Sequence, residues 1–265
     1  MATSPVPARD DLLTIIFTSI AAYILQNILH EGLGHAVSAW LSGAHHLTLS
    51  TVALSSDIET RWISASGTLV NLLFAAIFWL LLAKRKRYKP TTHYFLVLAM
   101  AGNLFTGTGY FLFSGVTNFG DWAAVIAGLQ PHWLWRLGLL LVGVPAYAAS
   151  LIVVARALQP FDQAGAPPRR IRILCWTPYI AEGAFAGLAG LLNPLGWFYV
   201  VSSALASTLG ANAGMWSLPG IIRRRSPPTA EQVAAIPHSF PWIISVAVSG
   251  LLFIVCLGPG LRWTR

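Results

Sequence analysis

Residues 12–29 read LLTIIFTSIAAYILQNIL and carry no charged side chain. A run of that length can cross a bilayer as a helix, the one open segment that satisfies its own backbone polar groups without water. Similar runs recur at 63–83 and near 92–116, 133–157, 173–192, 197–221 and 240–258. The pattern predicts an all-α, polytopic transmembrane helix bundle of about seven spans, within a range of six to eight. It reads as a single membrane domain over 1–265.

Composition supports this. Charged residues make up 10% and hydrophobic residues 55%, against about 25% charged in an ordinary soluble domain. Mean hydropathy is +0.64. Such a chain cannot clothe a surface in polar groups, which excludes a water-soluble globule, and it is too apolar for intrinsic disorder.

The formal charge is +8, but it is not spread over a nucleic-acid-binding face. Lys84, Arg85, Lys86, Arg87 and Lys89 form one cluster, Arg169, Arg170 and Arg172 a second, and Arg223, Arg224 and Arg225 a third. Each lies between apolar runs, as in loops held on the cytoplasmic side. With 84–89, 159–172 and 223–239 inside, the N-terminus is also inside, and loops 43–62 and 117–132 face the opposite side. The expected location is a bacterial inner membrane. The first residues lack the basic stretch and cleavage site of a signal peptide, so the first helix is expected to be retained. Expected partners are membrane lipid, a transmembrane protein substrate and other subunits of a membrane complex, with no nucleic acid. Segment 44–62, with its alternating LTLSTVAL, suits a short hairpin or an interfacial loop.

The first run leads into His30-Glu31-Gly32-Leu33-Gly34-His35. Ionisable groups at membrane depth are costly and point to function. The zinc signature H-E-x-x-H sets two imidazoles on one helix face with Glu as general base. Here the spacing is five. Five residues of an ideal helix turn about 500°, which leaves the two rings about 140° apart. They share a ligand only if the helix accommodates an extra residue in a π-turn, which Gly32 and Gly34 make easier.

HEGLGHA, followed about thirty residues later by SGTLVNLLFA, resembles the site-2-protease family of intramembrane zinc metalloproteases. The resemblance covers about the first 125 residues and departs from the family's usual H-E-x-x-H by one position. It implies zinc as cofactor, His30 and His35 as metal ligands, Glu31 as general base, Asn71 as the polar residue facing the site, and Asp121 as the third ligand. Residues 12–125 would then form a metalloprotease-like core, with 133–258 as additional transmembrane helices. A metal-activated water would attack the scissile carbonyl, Glu31 would carry the proton, and Asn71 would hold substrate backbone or the oxyanion.

The expected function is therefore a membrane-embedded zinc-dependent hydrolase, a peptidase cleaving within or beside the membrane. The alternatives are a non-catalytic membrane subunit whose histidines hold a pigment or haem or are structural, and a hydrolase of lipid amides. His45 and His46 read as loop residues, Asn103 and Asn212 as packing polar groups, and Glu182 as an intramembrane acid without an obvious partner.

Overall fold

In a computed structural model, residues 9–84, 88–162, 169–194, 196–225 and 233–264 are described. Parts of the three basic loops (85–87, 163–168 and 226–232) lie outside them, so the clusters that set the expected orientation are only partly described. The bundle begins with α1 (Leu12–Asn27), which runs through a π-helical segment (Ile28–Ala36) into α2 (Val37–Leu41) without a break. Asp11 caps α1 by accepting the Thr14 backbone N–H at 2.8 Å, leaving the first apolar turn free to enter the membrane. Gly43, at φ 91°, turns the chain out of α2.

A hairpin of β1 (His46–Leu49) and β2 (Leu54–Ser56) follows. Then come α3 (Arg61–Ala83), capped by the Thr60 side chain, and α4 (Pro90–Thr117), opened by a proline. Asn118 and Gly120, both with positive φ, turn the chain into the short α5 (Asp121–Ile126). α6 (His132–Leu158) and α7 (Arg169–Gly190) come next. After them stand α8 (Trp197–Tyr199), a second π segment (Val200–Leu205), α9 (Ala206–Ala211) and α10 (Gly214–Arg225). The last helix, α11 (Phe240–Leu252), ends in a π-turn (Phe253–Leu257) before β3 (Leu261–Thr264). β3 pairs antiparallel with β1, so the small sheet has the order β2-β1-β3.

The chain is an integral membrane protein with an all-α bundle. Among the described residues, five helical stretches are long and apolar enough to cross a bilayer: Leu12–Leu41, Arg61–Ala83, Pro90–Thr117, His132–Phe161 and Phe240–Leu257. The expected spans near 173–192 and 197–221 are not among them. α7 carries Glu182, an internal proline and basic residues in its first turn, while Asn212 and Pro219 interrupt the second stretch, which forms short helices. α4 lies at the centre, with Tyr94, Val97, Met100 and Phe105 wholly buried against α1, α3 and α6. α6, α11 and the π-turn after α11 instead turn Leu141, Val144, Leu251 and Val255 outward. In water such faces would be a liability; in hydrocarbon they cost nothing.

A polar centre between the first three spans

The extra residue in the first span is taken up by the π segment. The Val37 backbone N–H reaches back to the Gly32 carbonyl, five residues earlier, instead of four. That winding turns His30 and His35 onto one side, and their Nε2 atoms stand 3.2 Å apart. Gly34 packs against the backbone of Gly67, and Gly67 in turn lies against both imidazoles. Two side-chain-free positions therefore let α3 approach closely enough to wall the rings in.

Asp121 arrives from the start of α5. Its Oδ2 lies 3.1 Å from His30 Nε2 and 3.4 Å from His35 Nε2. The three residues thus offer ligand atoms within 4.8 Å of one another, an arrangement able to surround a cation. Burial works against the Asp121 carboxylate, but the adjacent His35 and His30 outweigh it and hold the group well below the usual range.

The outer ring nitrogens are also committed. His35 Nδ1 faces the Ile63 carbonyl at 2.7 Å, and a carbonyl can only accept, so this nitrogen carries the proton. His30 Nδ1 meets Asn71 Oδ1 at 2.6 Å, and Asn71 Nδ2 donates to Asn103 Oδ1 at 2.7 Å. The His30 ring stacks on Tyr110, with centroids 5.1 Å apart and planes 15° apart. Asn71 is wholly buried and both its polar atoms are engaged. Its oxygen faces His30 and its nitrogen faces Asn103.

Glu31 faces the other way. Its Oε2 accepts the Leu54 backbone N–H at 2.9 Å, which ties β2 to the centre. Glu31, His35 and Asp121 line one cavity of about 230 Å³, walled by the hairpin, α3, Tyr110, Phe113 and Ser207. A more apolar cavity of about 510 Å³ lies between α4, α6 and the segment 206–217, and it shares Tyr110, Phe113 and Ser207 with the first. Ser66, buried in the first turns of α3, donates to the same Ile63 carbonyl that His35 uses.

The other singled-out residues stand apart. The Asp57 carboxylate accepts the backbone N–H groups of His45 and His46. Glu182 is buried in α7, where Asn212 Nδ2 donates to it at 3.0 Å. Sequence reasoning missed Asn103, Tyr110 and Leu54 as neighbours of the centre. Asn103 is three residues from Thr106 and four from Gly107 on a helix rich in small and polar residues, which suggested packing alone.

The chain is 32% identical over 133 residues to the rhomboid protease GlpG of Yersinia enterocolitica, a match covering 48% of this chain and 42% of that relative. The chain therefore spans less than half the length of the curated relative it matches. No family model matches, and no solved structure does. The match overturns the resemblance to the site-2-protease family. Rhomboid proteases are intramembrane serine proteases that need no metal cofactor, so the zinc cofactor, the metalloprotease activity and the zinc-dependent hydrolase expected from the resemblance do not stand.

Proposed function

We propose that the protein is an intramembrane peptidase whose acid–base chemistry is carried by the centre of His30, Glu31, His35 and Asp121. The observation that supports this most is the convergence of two imidazole Nε2 atoms and a carboxylate oxygen, within 3.1–3.4 Å, beside a cavity that also holds Glu31. With both Nδ1 atoms protonated, the three facing atoms all present lone pairs. Acceptors gathered in a buried site repel one another unless a positive charge lies among them. A proton on an imidazole meets that need.

The positive centre would stabilise the oxyanion that forms as a peptide carbonyl is attacked. Glu31, on release from Leu54, would take the proton of the attacking group and return it to the leaving amine. The attacking group is the water or the serine hydroxyl that enters the cavity, and Ser64 and Ser207 are among its lining residues. Asn71 is a positioning residue behind His30.

The substrate is a membrane-spanning polypeptide. The apolar cavity that opens onto the polar one through Tyr110, Phe113 and Ser207 suits an apolar segment arriving from the lipid. The basic residues Lys84, Lys89, Arg169, Arg170 and Arg172 support an inner-membrane location with the N-terminus inside. A haem or pigment bound through these histidines is disfavoured. His30 is stacked on Tyr110, Gly67 packs on both rings, and their free nitrogens face each other.

The test is cleavage of a library of transmembrane peptides by protein reconstituted in liposomes, comparing the natural chain with Glu31→Gln and His35→Ala. Both variants should lose cleavage. Full activity in both would sink the assignment of this centre. Labelling by a fluorophosphonate, abolished by Ser64→Ala or Ser207→Ala, would identify a serine as the attacking group.

A further inference from the structure

The polarity of the centre is set from outside it, by a chain of amides that ends on a main-chain carbonyl. Asn103 Nδ2 donates to the Ala99 carbonyl at 2.8 Å. A carbonyl only accepts, so the nitrogen end of Asn103 must face Ala99 and its oxygen must face Asn71. Asn71 meets that oxygen at 2.7 Å and is therefore obliged to present Nδ2 there. Its own oxygen is left for His30, where it stands 2.6 Å from Nδ1 and can only accept. Each step follows from the one before, and the whole series is wholly buried, with Asn71 and Asn103 both 0% exposed. No water competes for any of these groups.

From this the geometry points to Asn103 as the positioning residue that fixes the His30 tautomer. Nδ1 is held protonated and Nε2 is delivered as a lone pair toward His35 and Asp121. The inference rests on the proposed role of the centre only for its importance, since the tautomer itself is a property of the folded chain. His35 is treated in the same way by a main-chain carbonyl, Ile63, without an intermediary. His30 is reached instead through two amides, Asn71 on α3 and Asn103 on α4. The two-amide relay transmits the direction of one helix carbonyl across two helices.

The test is nuclear magnetic resonance of protein labelled with ¹⁵N-histidine in lipid bicelles, with the His30 ring assigned by its loss in His30→Gln. In the natural chain His30 Nδ1 should fall in the protonated range. Asn103→Leu keeps the shape of the side chain but removes both polar ends. Asn71 Nδ2 then keeps only its long 3.5 Å contact with the Gln26 carbonyl, and the His30 Nδ1 signal should move toward the unprotonated range or split between two forms. Asn103→Asp should restore the natural signal, because a neutral carboxylic acid offers the same donor to Ala99 and the same acceptor to Asn71. Asn103→Thr is the second disrupting variant should leucine disturb packing: its hydroxyl still bonds the Ala99 carbonyl but is too short to reach Asn71. An unchanged His30 signal in folded Asn103→Leu or Asn103→Thr overturns the inference. The ring proton is read without any cleavage assay, so a protein inactive toward every peptide would count against the proposed function and leave this result untouched.

Discussion

Gly67 packs directly on His35: a Cβ at this position would overlap the His35 Nε2 atom and come 2.8 Å from His30 Cε1. The space that holds the two imidazoles therefore depends on a missing side chain on the neighbouring helix. Gly67→Ala should push the rings apart, at a cost of about 1–3 kcal/mol typical of overpacked cores. The measurement is the thermal midpoint in detergent together with the distance between the two rings. A variant with natural stability and natural ring signals would show that the rings yield to an added methyl group without cost.

Glu31→Gln preserves shape and keeps an acceptor for Leu54, but it cannot carry a proton. Cleavage should fall by a factor on the order of 10²–10⁴, while the ring signals of His30 and His35 stay close to natural. Equal turnover by the two forms would remove Glu31 from the mechanism.

Asp57 holds the start of the hairpin. The backbone N–H of His46, joined by that of His45, keeps its carboxyl below the ordinary carboxylate range. A depressed folded-state value means that the group's contribution is present above the unfolded value, about 3.9, and is lost as pH falls through the folded one. The protection of amides over residues 46–56, taken relative to the intrinsic exchange rate at each pH, should therefore fall at low pH. Asp57→Asn should show quickened exchange already at neutral pH, and equal exchange in variant and natural chain would count against this anchor.

Asp10 joins the entry of α1 to α7 and to the segment before α11. Its two oxygens accept from Arg170 at 2.8 and 3.1 Å, and Oδ1 also accepts the Ile236 N–H at 2.8 Å. Both side chains are 10% exposed, so removing the carboxylate leaves a poorly solvated guanidinium. Asp10→Ala should cost about 1.5–3 kcal/mol, the range for hydrogen bonds to charged groups, read as a lower unfolding midpoint. An unchanged midpoint would mean that Phe161 and Ala234, whose carbonyls also accept from Arg170, suffice.

Much of the bundle was legible because lipid leaves a coarse signature: uncharged runs separated by basic clusters. The π-turn was legible too, since a spacing of five between His30 and His35 admits few windings that bring the rings together. Other features needed three dimensions. The pairing of Leu261–Thr264 with His46–Leu49 joins four-residue segments from opposite ends of the sequence, and neither carries a long alternating pattern. The orientation of Asn71 depends on which end of Asn103 meets Ala99, a matter of rotamers. The stretches near 173–192 and 197–221 read as spans because apolar residues outnumber the few groups, Glu182, Pro178, Asn212 and Pro219, that keep them out of the long, apolar set. The zinc assignment failed for a different reason. A histidine–carboxylate set states which atoms meet, and the choice between metal and proton chemistry lies outside the motif.

The nine-residue π segment also keeps the two ends of the rod in phase. Each residue of an ordinary helix advances the screw by about 100°, so one surplus residue wound regularly would turn everything beyond it by that much. The widened turn absorbs the surplus within a single continuous rod. Deleting Leu33 would let the rod relax to regular winding with the imidazoles four apart and still neighbours. Trp40 and the hairpin that follows would then keep their bearing against the face carrying Thr18 and Tyr23. The wide turn thus preserves the relative bearing of the two ends of the rod as well as the meeting of the rings.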